Sequence, residues 1–227
     1  MSVSSSRHRP QYILFDVYDT LLDMTEIKRR INSALDNKRG YDLWFSLLTQ
    51  YCFLHNCTAT FQPFTDVCKA TLQMAGAQLG VQVSEGHIED LLHLMKYLPL
   101  QDGTPQVLSD LYDAGFRLAA LTNAPKDVVR ERMERTGLIS YFDPVLSSEK
   151  IRQYKPATRV YQWAAEQCGV PAAACMLVST HDWDILGAHN AGMQTAYIER
   201  PQQLAYPLGP KPGICLQHLN QLLQQIG

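Results

Sequence analysis

The sequence lacks the features of a membrane or nucleic-acid-binding protein. None of its 227 residues lies in an apolar run approaching the roughly 18–20 residues that cross a bilayer. Residues 1–11 contain no apolar core of the kind a secretory signal needs, and we interpret them as a frayed tail. Lysine and arginine number 20 against 22 acids, for a formal net charge of −2. This balance gives no electrostatic attraction to a polyanion, so we expect neither a membrane nor a nucleic acid as partner.

Cysteine is scattered rather than paired. The six cysteines are Cys52, Cys57, Cys68, Cys168, Cys175 and Cys215, and no CxxC motif occurs. A zinc site requires clustered ligands, which this spacing does not provide. We therefore expect reduced thiols that fill core positions, no bound metal, and a cytoplasmic location.

The C-terminal two thirds of the chain alternates strand-like and helical patterns. Short apolar runs occupy residues 116–125, 141–149, 174–184 and 194–200, and stretches with helical spacing separate them. Such alternation predicts an α/β fold, a Rossmann-like parallel sheet with helices on both faces. In these sheets, chemistry gathers where the strands end at their carboxyl edge.

Residues 25–97 follow a different pattern. They carry helical periodicity throughout, with no strand alternation between the helical stretches. They come directly after the first apolar run, which lies within residues 11–24. We therefore predict a core domain made of residues 11–24 and 98–227, and an inserted all-helical cap domain made of residues 25–97.

Polar residues follow three of the predicted strands. The run YILF ends in Asp16, LAAL in Thr122 and Asn123, and CMLV in Ser179. In a closed, water-poor site a carboxylate is able to act as a nucleophile, provided that a cation keeps it ionised. Lys155, held before a proline, is the candidate cation. Thr122 and Asn123 offer a hydroxyl and an amide to an anionic oxygen.

Four motifs in sequential order resemble the haloacid dehalogenase superfamily. They are YILFDVYDT, LAALTN, YKP and LVSTHDWDILGAHNAG, and together they cover the chain from about residue 12 onward. Within the superfamily, FDVYDTLLD is similar to the DxYGTL pattern of L-2-haloacid dehalogenases. VSTHDWD is similar to their VSSNAWD, which matches Ser179, Trp183 and Asp184. Tyr161, six residues after Lys155, matches a site tyrosine of that branch.

The resemblance implies a reaction without a metal or other cofactor. Asp16 displaces halide from the carbon next to a carboxylate, with inversion, and forms an ester that water hydrolyses to a 2-hydroxy acid. The implied partners are a small carboxylate substrate and water, and the resembling family commonly forms a homodimer. Metal-dependent phosphatases of the superfamily carry aspartates at the positions of Tyr18 and Thr180. A phosphatase therefore stays an alternative. It is disfavoured because a leaving alkoxide needs a proton donor, which Tyr18 does not supply, whereas a leaving halide needs none.

The resemblance also assigns roles to the site residues. The predicted catalytic residues are Asp16, Thr20, Lys155, Ser179 and Asp184. The predicted substrate-binding residues are Tyr18, Phe45, Thr122, Asn123, Tyr161, His181 and Trp183. Lys155 holds Asp16, and Ser179 orients Lys155 with Asp184 beside it. Thr20, Thr122 and Asn123 hold the substrate carboxylate or the oxyanion of ester hydrolysis, and Tyr161 closes the pocket.

Three positions depart from the family pattern. Asp19 replaces a glycine, and His181 replaces an asparagine while keeping the capacity to donate a hydrogen bond or position water. Phe45 stands where the family's cap helix carries the arginine that cradles the leaving halide. We expect weak activity or an altered substrate, unless a nearby polar residue compensates, for which the candidates are Gln50, His55 and Asn56. A catalytically degenerate binding protein is the second alternative.

Overall fold

The computed structural model describes residues 8–201 and 203–227. The first seven residues of the predicted frayed tail lie outside the described residues. Within the described part of the chain, no helix is both long enough and apolar enough to span a membrane.

Six parallel strands form one sheet. They are β1 (Tyr12–Phe15), β2 (Arg117–Thr122), β3 (Phe142–Ser147), β4 (Cys175–Ser179), β5 (Gln194–Ile198) and β6 (Ile214–Leu216). Their order across the sheet is β3-β2-β1-β4-β5-β6, so β1 lies between β2 and β4. The predicted parallel α/β sheet is confirmed. The chain reverses its strand order at β1, and the residues that follow β1, β2 and β4 therefore meet at one point of the carboxyl edge.

Helices cover both faces of the sheet. They are α5 (Thr104–Asp113), α6 (Lys126–Arg135), α7 (Thr158–Cys168), α8 (Asp182–Asn190) and α9 (Leu222–Ile226), numbered after four earlier helices that are described below. Because side chains alternate along a strand, Ile13 and Phe15 enter the core with α5, α6 and α9. Tyr12 and Leu14 enter the second core with α7 and α8. The central strands β1 and β4 are apolar over nearly their whole length because both of their faces are buried.

The helices α1 (Thr25–Ala34), α2 (Gly40–Cys57), α3 (Phe64–Gln78) and α4 (Glu85–Leu94) lie between β1 and α5 in sequence, and we call them the helical insert. Their apolar faces share the core of α5 and α6. A side chain of α2 attaches the insert to the loop before α7: the amide of Asn56 donates to Tyr154 O at 2.7 Å and accepts from Tyr154 N at 2.9 Å. This attachment places α2 over the carboxyl edge of the sheet. The division into domains at residues 25 and 97 stays a prediction.

Candidate active site

Lys155 occupies the centre of a buried charged group at the carboxyl edge. Its Nζ donates to Asp16 Oδ1 at 2.7 Å, to Asp184 Oδ2 at 2.8 Å and to Leu121 O at 3.1 Å. The three donors of the ammonium group are therefore all used. Lys155 is 1% exposed and Asp184 is 0% exposed. Burial by itself lowers the pKa of Lys155, but Asp16 and Asp184 raise it above its ordinary value, so the lysine stays charged.

Asp16 is held as a carboxylate. Its second oxygen, Oδ2, accepts a hydrogen bond from the Thr20 hydroxyl at 2.8 Å and lies 3.8 Å from Nε2 of His181. Burial favours the protonated acid, but Lys155, then His181, and then the hydrogen bonds lower the pKa of Asp16 below its ordinary value. Thr20 is itself fixed, because its hydroxyl oxygen accepts from Thr180 N at 3.2 Å. An ionised carboxylate in a nearly closed site is the arrangement that a carboxylate nucleophile requires.

Tyr161 lies behind Asp184 rather than at the cavity. The tyrosine is fully buried on α7, and its hydroxyl donates to Asp184 Oδ1. Gly187 makes room for it, since a Cβ at that position would lie 2.5 Å from Tyr161 Cε2. The predicted pocket-closing position of Tyr161 therefore differs from the one observed. A buried phenol that donates to a carboxylate positions that carboxylate, and with it the Lys155 ammonium.

Ser179 also takes a place different from the predicted one. Its hydroxyl oxygen accepts a hydrogen bond from His181 N at 3.1 Å, and the hydrogen bonds of the described residues show none between Ser179 and Lys155. A serine that ends β4 in this way caps the turn into α8. Ser179 thus holds His181, the residue at the start of α8, instead of the lysine.

Asn123 holds the lysine instead. Its Oδ1 accepts from Lys155 N at 2.8 Å and from Ser148 Oγ at 2.9 Å, and its Nδ2 donates to Lys155 O at 3.5 Å. Asn123 was predicted to contact the substrate, and these hydrogen bonds, which fix the backbone of Lys155, were not predicted. Ser148 was not predicted, and only its position after β3 would have drawn attention to it. Thr122 accepts from Ala124 N at 3.1 Å, so its hydroxyl proton is free to point into the cavity.

A small cavity opens above Asp16. Its volume is ≈ 60 Å³. Its polar lining consists of Asp16, Tyr18, Thr122, Asn123, Lys155 and His181. Its remaining wall consists of Leu48, Thr49, Cys52, Phe53, Phe64, Ala124, Phe45 and Trp183. A larger cavity of ≈ 240 Å³ adjoins it and shares Tyr18, Phe64 and Ala124.

Phe45 of α2 was predicted to line the site, and the same face of α2 supplies four further wall residues that sequence reasoning missed. Phe45, Leu48, Thr49, Cys52 and Phe53 recur at the spacing of one helical face. That spacing was visible in the sequence and is the signal that would have found them. The three polar residues considered as replacements for the arginine lie elsewhere, because Gln50 is exposed, His55 pairs with Thr60, and Asn56 pairs with Tyr154.

Three aromatic rings are stacked beside the nucleophile. The ring of His181 lies 5.5 Å from that of Phe45 and 5.1 Å from that of Trp183, with interplanar angles of 30° and 13°. Phe45 also stacks on Tyr41 at 5.8 Å. Phe45 therefore faces the cavity, and its neighbour there is an imidazole.

Asp19 has a structural use that a glycine would lack. Its φ of 66° lies in the left-handed region, where glycine is favoured. The carboxylate pairs with Lys28 of α1 at 3.2 Å and accepts from Gln203 Nε2 at 2.7 Å. These contacts tie the turn after β1 to the helical insert and to the loop that precedes β6.

The fold and this site define an α/β protein with a buried Asp–Lys–Asp group at the point where its strand order reverses. The family model of the haloacid dehalogenase-like hydrolases matches residues 13–198, and the chain belongs to this family. The recognition drawn from the four motifs is confirmed, and the protein is a hydrolase of this family.

Named relatives and solved structures agree over nearly the whole chain. The chain is 28% identical over 203 residues to the (S)-2-haloacid dehalogenase of Pseudomonas sp. (strain YL), which covers 88% of this chain and 87% of the relative. It is 26% identical over 220 residues to haloacetate dehalogenase H-2 of Moraxella sp. (strain B), and the match covers 94% of this chain and 96% of the relative. The structure of the L-2-haloacid dehalogenase RSc1362 superposes with a TM-score of 0.90 at 26% identity, and the superposition covers 96% of this chain and 99% of that one.

Proposed function

We propose that the protein hydrolyses the carbon–halogen bond of small 2-halocarboxylic acids through an ester on Asp16. The observation that carries this proposal is the position of the Lys155 ammonium between the carboxylates of Asp16 and Asp184. It holds Asp16 ionised in a cavity with a largely apolar wall. The names of the relatives point to the same class of substrate.

In the first half-reaction, a carboxylate oxygen of Asp16 attacks the halogen-bearing carbon. The new C–O bond forms as the carbon–halogen bond breaks, and the halide leaves with the bonding electron pair on the opposite side, so the carbon is inverted. A halide needs no proton to leave. Tyr18, whose pKa burial raises further above its ordinary value, therefore adds no acid to this step and serves as a wall of the cavity.

In the second half-reaction, water attacks the carbonyl carbon of the Asp16 ester. Lys155 donates to Oδ1 of Asp16 and Thr20 donates to Oδ2. Whichever oxygen forms the ester, the other is the carbonyl oxygen and has its own donor to stabilise the negative charge that develops on it. One such donor contributes about 3–4 kcal/mol in comparable oxyanion sites. Collapse of the intermediate breaks the ester bond and regenerates Asp16. The net reaction consumes water and releases a 2-hydroxy acid, halide and one proton.

The size of the cavity limits the substrate. A volume of ≈ 60 Å³ favours the smallest acids, such as a haloacetate, and the adjoining cavity of ≈ 240 Å³ offers room for the methyl group of a 2-halopropionate. The relatives named above act, by their names, on 2-haloacids and haloacetate. A homodimer and a cytoplasmic location, which the resemblance and the cysteine pattern predict, stay predictions.

The magnesium-dependent phosphatase alternative fits these residues poorly. A divalent cation prefers several oxygen ligands, chiefly carboxylates. Here Asp16 and Asp184 share a lysine, Thr180 bonds to Thr20, and Tyr18 carries no carboxylate. Among the described residues, no group of three His, Cys, Asp or Glu side chains is arranged to hold a metal. The donor set is that of an ammonium site, and we assign no step to a metal.

The degenerate-protein alternative depends on Phe45. Its ring presents an aromatic face to His181 where a charged donor is expected. If nothing compensates, the loss of that donor removes several kcal/mol of transition-state stabilisation, roughly as for other charge-assisted bonds. The intact Asp16–Lys155–Asp184 group favours an enzyme over a binding protein.

Halide release tests the proposal. Chloroacetate, bromoacetate and each enantiomer of 2-chloropropionate are incubated with the wild type and with Asp16→Asn, and halide is measured by ion chromatography. We expect release by the wild type, insensitive to a metal chelator and absent from Asp16→Asn. Hydrolysis of an aryl phosphate only with magnesium would instead establish the phosphatase. Absence of both activities would favour the binding protein.

A further inference from the structure

The buried charges beside the cavity do not balance. Asp16 and Asp184 carry two negative charges, and Lys155 carries one positive charge, already shared between them. A 2-halocarboxylate brings a further negative charge. Among the described residues that line the cavity there is no arginine, and His181 is the remaining side chain that is able to become a cation. Binding of an anion there requires a positive charge that Lys155 alone does not supply.

His181 is held in the site by contacts with four residues. Its Nε2 lies 3.8 Å from Asp16 Oδ2, and its backbone N–H is held by Ser179 Oγ. Its ring lies between the rings of Phe45 and Trp183. The negative faces of two aromatic rings favour a cation placed between them. Phe45, which removes the expected arginine, thus also favours the protonated imidazole next to it.

We propose that His181 binds the substrate carboxylate as an imidazolium, so that binding of the anion is coupled to protonation of His181. This inference rests on the proposed function only in the identity of the carboxylate as substrate. In this proposal His181, directly before α8, provides the positive charge for anion binding that the helical insert does not provide.

Other titratable groups lie on the elements that pack around His181. On β1 and the following turn these are Asp16, whose pKa is lowered, and Tyr18, whose pKa is raised by burial. Lys155 stays charged. From α2, burial raises the pKa of Cys52 to about 12 and that of Tyr41 well above its ordinary value. On its own helix the groups are Asp184, bound to Lys155, and Asp182, which accepts from Tyr206 N.

Position favours the carboxylate over the leaving halide as the anion bound. The Nε2 atom lies beside the attacking carboxylate of Asp16. The halide departs on the far side of the reacting carbon, whereas the substrate carboxylate is attached next to that carbon. A side chain beside the nucleophile is therefore closer to the carboxylate. Imidazole is the side chain whose charge ordinarily changes between about pH 5 and 8.

Paired substrates test the coupling through turnover. The pH dependence of kcat/KM is measured for chloroacetate and for uncharged chloroacetamide, with the wild type, His181→Asn and His181→Lys. For chloroacetate we expect an alkaline limb on which kcat/KM falls about tenfold per pH unit, and no such limb for chloroacetamide. His181→Asn removes this limb, and His181→Lys restores binding of the acid without it. A limb of equal size for both substrates, or one that persists in His181→Asn, overturns the proposal.

A binding measurement separates this inference from the proposed function. Histidine ring signals of the wild type are followed by NMR against pH, with and without propionate, and the signal lost in His181→Asn identifies His181. Propionate is expected to move the His181 titration to higher pH, while the signal of exposed His189, assigned with His189→Asn, stays unchanged. This result holds even if no haloacid is hydrolysed, in which case only the proposed function fails. No shift with propionate, or a shift with bromide alone, refutes the inference.

Discussion

Replacement of Lys155 by methionine is the most informative single substitution at the site. Methionine keeps most of the side-chain volume but removes the ammonium group that bonds to Asp16, Asp184 and Leu121 O. Two carboxylates then face each other in a site where Lys155 was 1% exposed. Burial, the largest influence on the pKa of Asp16, is no longer opposed by the lysine, so that pKa rises above its ordinary value.

The size of the effect follows from the burial of the group. Removing one partner of a buried ion pair costs about 3–5 kcal/mol, because it leaves an uncompensated charge. For a chain of about this length, each kcal/mol lowers the midpoint of thermal unfolding by about 2–4 °C, so we expect a loss of about 6–20 °C near pH 7. Halide release is lost as well, because a protonated Asp16 is no nucleophile.

The loss must depend on pH. In the wild type, the lowered pKa of Asp16 contributes stability above the ordinary carboxyl pKa of about 4, and this is lost as pH falls. In Lys155→Met, the raised pKa makes the folded protein bind a proton more tightly than the unfolded chain. Its stability therefore falls as pH rises from about 4 toward neutral. The difference in stability between the wild type and Lys155→Met is therefore smallest at acidic pH.

Thermal unfolding at several pH values, followed by circular dichroism, measures this difference. Lys150→Met is the control, because Lys150 is exposed on the segment before the same loop. Adding Asp184→Asn to Lys155→Met should recover part of the stability by removing one of the facing charges. Equal midpoints for Lys155→Met and wild type at pH 7, or a deficit that does not change with pH, would refute the assignment of a charged, buried Lys155.

Substitutions at three further positions test the supports of the site. Tyr161→Phe removes the donor to buried Asp184 and should lower stability by about 1–3 kcal/mol; a large change in KM with unchanged stability would instead favour a tyrosine at the cavity. Gly187→Ala places a Cβ 2.5 Å from Tyr161 Cε2. It should lower the free energy of unfolding by about 1–3 kcal/mol and should also reduce halide release. Wild-type stability and activity in this variant would show that Tyr161 is not tightly held. Asp19→Ala should cost about 1–2 kcal/mol in urea unfolding because alanine disfavours a positive φ, while Asp19→Gly should stay within about 0.5 kcal/mol of the wild type; equal losses would contradict the role of backbone conformation.

The sheet was predictable because its signals are local. Strands β1 to β5 each lie within a short apolar run of the sequence and are mostly buried, so alternation with helices was enough to predict parallel pairing. The start of α8 was not predictable in the same way. It begins at Asp182, inside the run of residues 174–184 that the sequence pattern assigns to a strand, and its first turn contains two acids that suit a helix amino terminus.

Side-chain partners were harder to predict than strand ends. Sequence motifs bring Asp16, Lys155 and Asp184 together, but they do not tell which atom of a neighbour reaches the lysine. Ser179 and Asn123 both lie at strand ends near Lys155. Only the path of the loop before α7 determines that the side-chain amide of Asn123, and not the hydroxyl of Ser179, bonds to the backbone of Lys155. Tyr161 was assigned by its distance in sequence from Lys155, whereas its depth in the core depends on packing against Gly187.

Isotope incorporation during a single turnover tests the central claim most directly. Excess enzyme is mixed with chloroacetate in water enriched in heavy oxygen, and the peptide that contains Asp16 is analysed by mass spectrometry together with the product. If an ester on Asp16 is hydrolysed at its carbonyl carbon, the heavy oxygen enters Asp16 and the glycolate formed contains none. Heavy oxygen in glycolate with an unlabelled Asp16 would show that water attacks the substrate directly, and would contradict the account.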